Sequence, residues 1–417
     1  MENKLIIGLI GLGTVGSGVV KTLKNFPEIE IKSAAVKNLN KKRDVEVKEL
    51  TDDPYKIVND PQINAVVEVA GGVDPAFDLL KTAIKNKKHI VTANKELLAK
   101  HGAELFDLAN KYNVAILYEA AVAGGIPIIM PIKTTLRGNK FKKVAGILNG
   151  TTNYILTKME EKNISYKECL KDAQDLGYAE ADPTGDVEGF DTMYKIATLA
   201  NIVFHKRIDI SKIHREGITN ISADDIKYAN ELGYKIKLIA LAQTSGDELD
   251  VRVHPMLVKK ESIISGINNA LNAVMLEGHP VGQVMFTGPG AGEFPTASSV
   301  VGDILAIAAE FGKCETILPM TRCHHKEKAV QKDVLDTKNN YYISITAQNA
   351  MGTIGVIGTV CGNNKINLSS VLQKGTEPDG TAHIIVITEE CSERDIQNAI
   401  KELQKDSIKI NNLIRVM

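Results

Sequence analysis

With 417 residues, 44% of them hydrophobic and 24% charged, the chain exceeds what one hydrophobic core covers and is expected to carry two or three domains. A formal net charge of −1, with both signs mixed along the chain, excludes a basic nucleic-acid surface and leaves small molecules as the expected partners. The five cysteines (Cys169, Cys314, Cys323, Cys361, Cys391) show no CxxC pairing, which argues for reduced thiols rather than a disulfide frame or a zinc site.

Residues 5–23, LIIGLIGLGTVGSGVVKTL, run from an apolar strand through Gly11-x-Gly13-x-x-Gly16 into a helical pattern. In that setting Gly11 permits a tight turn and Gly13 lets the backbone approach a pyrophosphate. Gly16 allows close helix–strand packing, and the helix start offers N–H groups to the anion. The fingerprint predicts a dinucleotide cofactor; the plainer alternative is a glycine-rich turn in an ordinary α/β domain. The strand stands where a signal peptide would, and no apolar run is long enough to span a bilayer, so a cytoplasmic protein without membrane contact is expected.

Further strands are expected at 29–36 (IEIKSAAV), 65–71 (AVVEVAG) and 89–93 (HIVTA), with helical stretches such as PAFDLLKTAIKNK between them. This alternation predicts an α/β fold with a doubly wound parallel sheet of Rossmann type. NAD enzymes of this type usually place an acid after the second strand to hold the ribose 2′-hydroxyl. Here Val36 is followed by Lys37 and Asn38, then Lys41, Lys42 and Arg43. Lys37 and Arg43 therefore favour NADP, whose 2′-phosphate they would attract, with NAD as the alternative.

From Ile126 onward, longer helical patterns (YKECLKDAQDLG, FDTMYKIATLANIVF, ELGYKIKLIALAQT) precede strand-like pieces such as ELDVRVHPMLV, predicting a central α+β domain. Residues 295–312, with Pro at the start and Gly at the end, read as a helix that returns to the first domain. The polar stretch 319–340 reads as a connector with a solvated basic face. Beyond it YYISITAQ, TIGVIGTVCGNN, INLSSVLQK, HIIVITEE, ERDIQNAIKELQKD and IKINNLIRV follow in the order strand–helix–strand–strand–helix–strand, a ferredoxin-like unit of regulatory type. The expected domains are 1–130 with the returning helix at about 295–318 for the dinucleotide, 131–294 for substrate and catalysis, a linker at 319–338, and a regulatory unit at 339–417.

Hydride transfer to a carbonyl needs a positioned acid for the developing alkoxide, and a lysine held by a carboxylate suits that task. GYAEADPTGDVEGFDTMYKIATLA offers one: Asp191 and Lys195 lie four apart on an expected helix and share a face, with Glu188 placed on the same side. The same spacing also describes an ordinary surface ion pair. Glu180, Asp182 and Asp186 stand in a Gly- and Pro-containing loop, where they would suit a zwitterionic substrate's ammonium group. Lys95 in VTANKELLA follows a strand at the carboxyl edge of the sheet, where open α/β sheets bind ligands; a solvent-facing lysine at a helix start is the alternative.

On these residues the chain resembles the homoserine dehydrogenase family along essentially its whole length, through GLGTVG, VVEVAGG, VTANKELLA, YEAAVAGGIPI, GILNGTTNYIL, LGYAEADPTGDVEGFDTMYK and GPGAGEFPTASSVVGD in the family's order. The resemblance implies reversible, NAD(P)-dependent interconversion of L-aspartate 4-semialdehyde and L-homoserine, on the route to threonine, methionine and isoleucine. It also implies Lys195 as proton donor, Asp191 and Glu180 as amino-acid contacts, and Lys95 between nicotinamide and substrate. Gly177 and Gly292 would approach the cofactor with Thr14, Val15 and Thr92, and Asn149, Gly150 and Thr151 would line the substrate pocket. In YEAAVAGGI the family holds a sodium ion with one carboxylate and backbone carbonyls, here Glu119, Val122, Gly124 and Ile126.

The C-terminal unit resembles an ACT domain, a module that commonly binds amino acids at paired interfaces. Threonine is the implied effector and a homodimer or homotetramer the implied assembly. ACT domains often carry an acid two residues before the glycine of the first strand–helix turn; here Ala350 precedes Met351-Gly352, while Asn367 remains a candidate ligand contact. A non-catalytic NADP- and amino-acid-sensing protein is the alternative function. A thioester-forming aldehyde dehydrogenase is disfavoured, since no cysteine stands in a nucleophile's setting.

Overall fold

The computed structural model describes residues 4–311, 322–405 and 408–417. Cys314, the far end of the returning helix and the first residues of the expected linker lie outside them. The chain packs as two compact units, the first drawn from Met1–Gly150, Asp191–Ser211 and Leu271–Ala329, the second from Thr151–Phe190, Lys212–Ala270 and Val330–Met417.

The first unit is organised by six parallel strands, β1 (Leu5–Ile10), β2 (Ile29–Ala35), β3 (Glu49–Thr51), β4 (Ala65–Glu68), β5 (His89–Thr92) and β6 (Ile116–Leu117), in the order β3-β2-β1-β4-β5-β6. β1 and β4 are buried almost throughout, as strands covered on both faces must be, which is why LIIGLI and AVVE are continuous apolar runs rather than alternating ones. The order in which successive strands are added reverses between β1 and β4, the switch point at which open α/β sheets hold their ligands.

The helix Glu293–Glu310 begins two residues before Pro295. Its Ala297, Val300, Val301 and Ile304 share one core with Leu5, Ile7, Val19 and Val67. Gly18 is the contact that lets the two helices approach: a Cβ there would lie 2.8 Å from the Glu293 carbonyl oxygen. This unit also holds an antiparallel sheet in which the strand Leu271–His279 pairs with Lys140–Ile147 on one side and Gly282–Pro289 on the other.

In the second unit ELGYKIKLIALAQT is not helical. It forms the strand Tyr234–Ser245, paired antiparallel with Glu248–Lys259 across a two-residue turn in which Gly246 has φ +62°. Residues 236–242 are all buried and, Lys237 apart, apolar, so both faces of the strand are covered and the period of two that would have distinguished it from a helix is absent. The C-terminal strands and helices follow in the expected order, with a core of their own built on Tyr341, Ile343, Ile357, Ile384, Ile396 and Leu403. The last strand, Lys409–Val416, also pairs in parallel with Glu248–Lys259, through Met256 with Arg415 and Leu257 with Val416. Arg415 is 1% exposed; its Nε and Nη2 each donate to Glu393 at 2.7 Å and its Nη1 donates to Glu216 at 2.9 Å.

Candidate active site

The turn after β1 takes the shape the glycine fingerprint requires. Gly11 has φ +103°, and a Cβ there would stand 2.8 Å from the Ala70 nitrogen; one on Gly16 would stand 2.3 Å from the Gly11 carbonyl oxygen. At Gly13 an added Cβ would meet no heavy atom within 4 Å and would project into open space. Gly13 caps the helix Thr14–Leu23 with no side-chain bond, so the first N–H groups, at Thr14 and Val15, are left for an anion. A cavity of about 520 Å³ opens here, lined by Gly11, Gly13, Lys37, Arg43, Val69 and Gly71 among others. Lys37 is exposed, whereas Arg43 folds back, donating to the carbonyls of Lys41 (2.7 Å) and Asn38 (2.8 Å) and leaving its buried Nε without a partner. Asp52 and Asp74 line the same cavity.

The helix Phe190–Phe204 carries Asp191 and Lys195, both 7% exposed, with Lys195 Nζ donating to Asp191 Oδ2 at 2.7 Å. The pair is therefore not the surface ion pair that its spacing also allowed. Burying an ammonium group costs on the order of several kcal/mol unless it is paired and hydrogen-bonded, and here the Leu148 carbonyl oxygen, at 2.7 Å, is the second acceptor. Asn149 Nδ2 donates to Asp191 Oδ2 at 2.9 Å, and Lys95 Nζ reaches Oδ1 at 2.7 Å. One carboxylate thus joins the helix, the end of the strand Lys140–Ile147 and the turn after β5. Burial by itself would raise the Asp191 carboxyl, but the charges and hydrogen bonds of Lys195 and Lys95 outweigh it and hold the group well below the usual carboxylate range. Glu188 does not share this face. It stands before the helix, where its carboxylate accepts from Thr219 Oγ1 at 3.0 Å and lies 3.9 Å from Arg215.

Two groups escaped the sequence reading. The Leu148 carbonyl carries no signal in a sequence. Glu68 did carry one, an acid closing an apolar strand: it is fully buried, its Oε1 accepting from the Ala70 and Gly71 N–H groups and its Oε2 from Thr92 Oγ1 at 2.7 Å. The Thr92 hydroxyl is thus turned to Glu68.

The turn expected to hold sodium is built, but its carboxylate is otherwise employed. Glu119 caps the helix Ile129–Lys133, Oε1 accepting from the N–H groups of Ile128 and Ile129 and Oε2 from that of Met130. Ala123 and Gly124 are consecutive left-handed residues (φ 56° and 53°), and the Gly124 carbonyl accepts from Ser299 Oγ at 2.7 Å. The Glu119 carboxylate and the carbonyls of Val122, Gly124 and Ile126 are oxygen donors of the kind a hard cation takes. Among the described residues no group of three or more His, Cys, Asp or Glu is placed to hold a metal ion.

The remaining expected residues occupy separate places. In the first unit Gly292, φ +123°, caps the helix Glu293–Glu310. In the second, Thr151 Oγ1 donates to the Tyr178 carbonyl at 2.7 Å, tying the helix Gly150–Lys162 to the loop with Gly177 (φ +76°) and the exposed Glu180. Asn367 and Ala350 of the C-terminal unit are both exposed.

Comparison with known proteins agrees with this architecture. The family model described as homoserine dehydrogenase matches residues 127–305, the homoserine dehydrogenase NAD-binding domain matches 11–119, and the ACT domain matches 341–407. A homoserine dehydrogenase of Synechocystis sp. is 42% identical, the match covering 99% of each chain. The crystal structure of a homoserine dehydrogenase from Thiobacillus denitrificans superposes with a TM-score of 0.94 at 36% identity, covering 99% of this chain and 98% of that one. A hyperthermophilic archaeal homoserine dehydrogenase in complex with NADPH superposes with a TM-score of 0.64 at 25% identity, covering 76% of this chain and 100% of that one.

Proposed function

The chain belongs to the homoserine dehydrogenase family, NAD(P)-dependent oxidoreductases acting on a CH–OH group, and from that premise we propose that Lys195 moves the proton in the interconversion of L-aspartate 4-semialdehyde and L-homoserine. The observation that carries this reading is the buried Lys195 ammonium, held at 2.7 Å by both Asp191 and the Leu148 carbonyl. These two acceptors orient the ammonium group, so a substrate oxygen reaching it would meet an already positioned donor. Asp191 acts as the positioning group, since both its oxygens are engaged by protein donors, and Lys95 on its second oxygen is the more exposed of the two lysines. The fingerprint turn, Thr14, Val15, Thr92 and Gly292 would hold the dinucleotide, whose nicotinamide would give up the hydride in reduction and take it in oxidation.

NADP is the proposed form, supported by Lys37 and Arg43 on the cradle and by the NADPH bound in the archaeal relative. Glu180, Thr151 and Gly150 as substrate contacts and Gly177 as a cofactor contact rest on the family resemblance, as do threonine as effector of the ACT domain, the homodimer or homotetramer, and the cytoplasm as location. Sodium, on the same resemblance, would be held by Glu119 with the carbonyls of Val122, Gly124 and Ile126.

The test is a spectrophotometric assay of homoserine oxidation with NADP and NAD side by side, with and without threonine, on wild type and Lys195→Ala. The variant should lose at least about a hundredfold in turnover with cofactor affinity little changed. Near-normal turnover would remove Lys195 from the reaction.

A further inference from the structure

We infer that Glu68 is a positioning residue of the active site: its carboxylate ties the turn after β4, which lines the cofactor cradle, to the end of β5, from which Lys95 springs. The inference rests on the reading of Lys95 and Asp191 given above.

Glu68 closes β4 at the sheet's switch point, where burying an acid is otherwise costly. Both oxygens are used. Oε1 accepts from the N–H groups of Ala70 at 2.9 Å and Gly71 at 3.0 Å, shaping a turn in which Gly71 and Gly72 take φ +74° and +79°. Ala70 and Gly71 line the cavity beside Gly11 and Gly13. Oε2 accepts from Thr92 Oγ1 at 2.7 Å, and that hydroxyl oxygen in turn accepts from the Asn94 N–H at 3.0 Å. Asn94 closes the ring: its Nδ2 donates to the Gly72 carbonyl at 2.6 Å, and its Oδ1 caps the helix Lys95–Tyr112 by accepting from Leu97 N–H at 3.1 Å. The first residue of that capped helix is Lys95, whose Nζ holds Asp191 Oδ1.

The consequence is mechanical. Besides the backbone bond from the Ala93 N–H to the Glu68 carbonyl and the Asn94–Gly72 bond, the buried Glu68 carboxylate sets the cradle turn and the Lys95 helix start against each other, so the lysine is placed relative to the cofactor end of the site. A carboxylate offers two accepting oxygens, one to the Ala70 and Gly71 N–H groups and one to the Thr92 hydroxyl. Glutamine has only one, and its amide nitrogen facing Thr92 cannot accept from the hydroxyl, so Glu68→Gln keeps the size of the side chain but breaks one arm of the link.

The experiment is a double-mutant cycle read by steady-state kinetics, with full-length wild type, Glu68→Gln, Lys95→Ala and the double variant. Inhibition by ADP-ribose, which lacks nicotinamide, reports the rest of the cradle. Glu68→Gln should lower kcat/KM for homoserine by about tenfold or more, since small misplacements of this kind carry such losses, with ADP-ribose inhibition within about twofold of wild type. In the Lys95→Ala background the same change should cost no more than about twofold. Equal losses in both backgrounds, or loss of ADP-ribose inhibition in step with activity, would reduce Glu68 to a fold-holding residue and overturn the inference. An unaltered Glu68→Gln would do the same. Glu68→Ala, which removes both arms, should exceed Glu68→Gln in its loss of kcat/KM if it folds; a smaller loss would also overturn it. A wild type that does not oxidise homoserine at all would instead refute the underlying reading.

Discussion

Lys95 and Asp191, far apart in the chain, meet at 2.7 Å, so that a lysine from the turn after β5 and Lys195 from the helix share one carboxylate. Asp191→Asn keeps the shape of that junction but removes the charge that both ammonium groups face. Turnover should fall by about a hundredfold, while dinucleotide binding, followed by the quenching or transfer of reduced-nicotinamide fluorescence, stays near wild type. Unchanged kinetics would mean that the shared carboxylate is only structural.

The basic rim of the cradle predicts cofactor choice. Replacing Lys37 and Arg43 together with Ala should weaken NADP binding by about tenfold or more, the scale of a lost charge-assisted hydrogen bond, and NAD binding much less. Titration calorimetry with each cofactor decides this; equal losses would place the 2′-phosphate elsewhere. Arg43 must give up its bonds to the Lys41 and Asn38 carbonyls to reach a phosphate, so Lys37→Ala alone should already show part of the effect.

Asp303 predicts a pH dependence of stability. Burial pushes its carboxyl up from the ordinary 3.8 to about 8, against the hydrogen bond that it accepts from the Glu119 N–H at 2.8 Å. A folded-state value above the unfolded one means that the protonated acid contributes stability fully below about 3.8, and that this contribution is lost as pH rises toward about 8. Asp303→Asn, which stays neutral and can still accept from Glu119, should therefore gain on wild type in melting temperature between those two pH values and level off above them. A difference in Tm that is flat with pH would contradict the assignment.

Arg415 predicts how firmly the C-terminal unit is held. Its guanidinium is buried against Glu393 and Glu216, and the Glu216 carboxyl is brought down to about 2: burial opposes ionisation, while the hydrogen bond to His214 and the charge of Arg415 more than offset it. Arg415→Ala would leave two carboxylates without their cation and should cost about 3–5 kcal/mol in a denaturant titration. A loss below about 1 kcal/mol, the value of a surface pair, would show that water screens this network. Because the strand Lys409–Val416 also pairs with Glu248–Lys259, ending the chain near Val334 should lower the denaturation midpoint as well as remove any response to threonine.

Local patterns carried far in this chain. Gly11-x-Gly13-x-x-Gly16 could be read because its spacing between a strand and a helix is a local pattern, and Asp191 with Lys195 because a helix places i and i+4 on one face. The C-terminal order of strands and helices was legible for the same reason. Period failed where burial is two-sided: residues 236–242 are buried on both faces and, Lys237 apart, apolar, and only their pairing partner made them a strand.

Whether Asp191 and Lys195 were a solvated pair or a buried one was undecided by their spacing. The answer came from Leu148, Asn149 and Lys95, brought in by other strands. The same holds for Glu68, whose meaning depends on Thr92 across the sheet, for Glu119, whose carboxylate caps a helix, and for Arg415, tied to Glu216 in a different segment. Sequence periodicity reports which side of an element is apolar, because that is a property of neighbouring residues. Which donor meets a buried acceptor is settled only when the chain folds back on itself, since the cost of leaving such a group unsatisfied is met by whichever partner packing delivers.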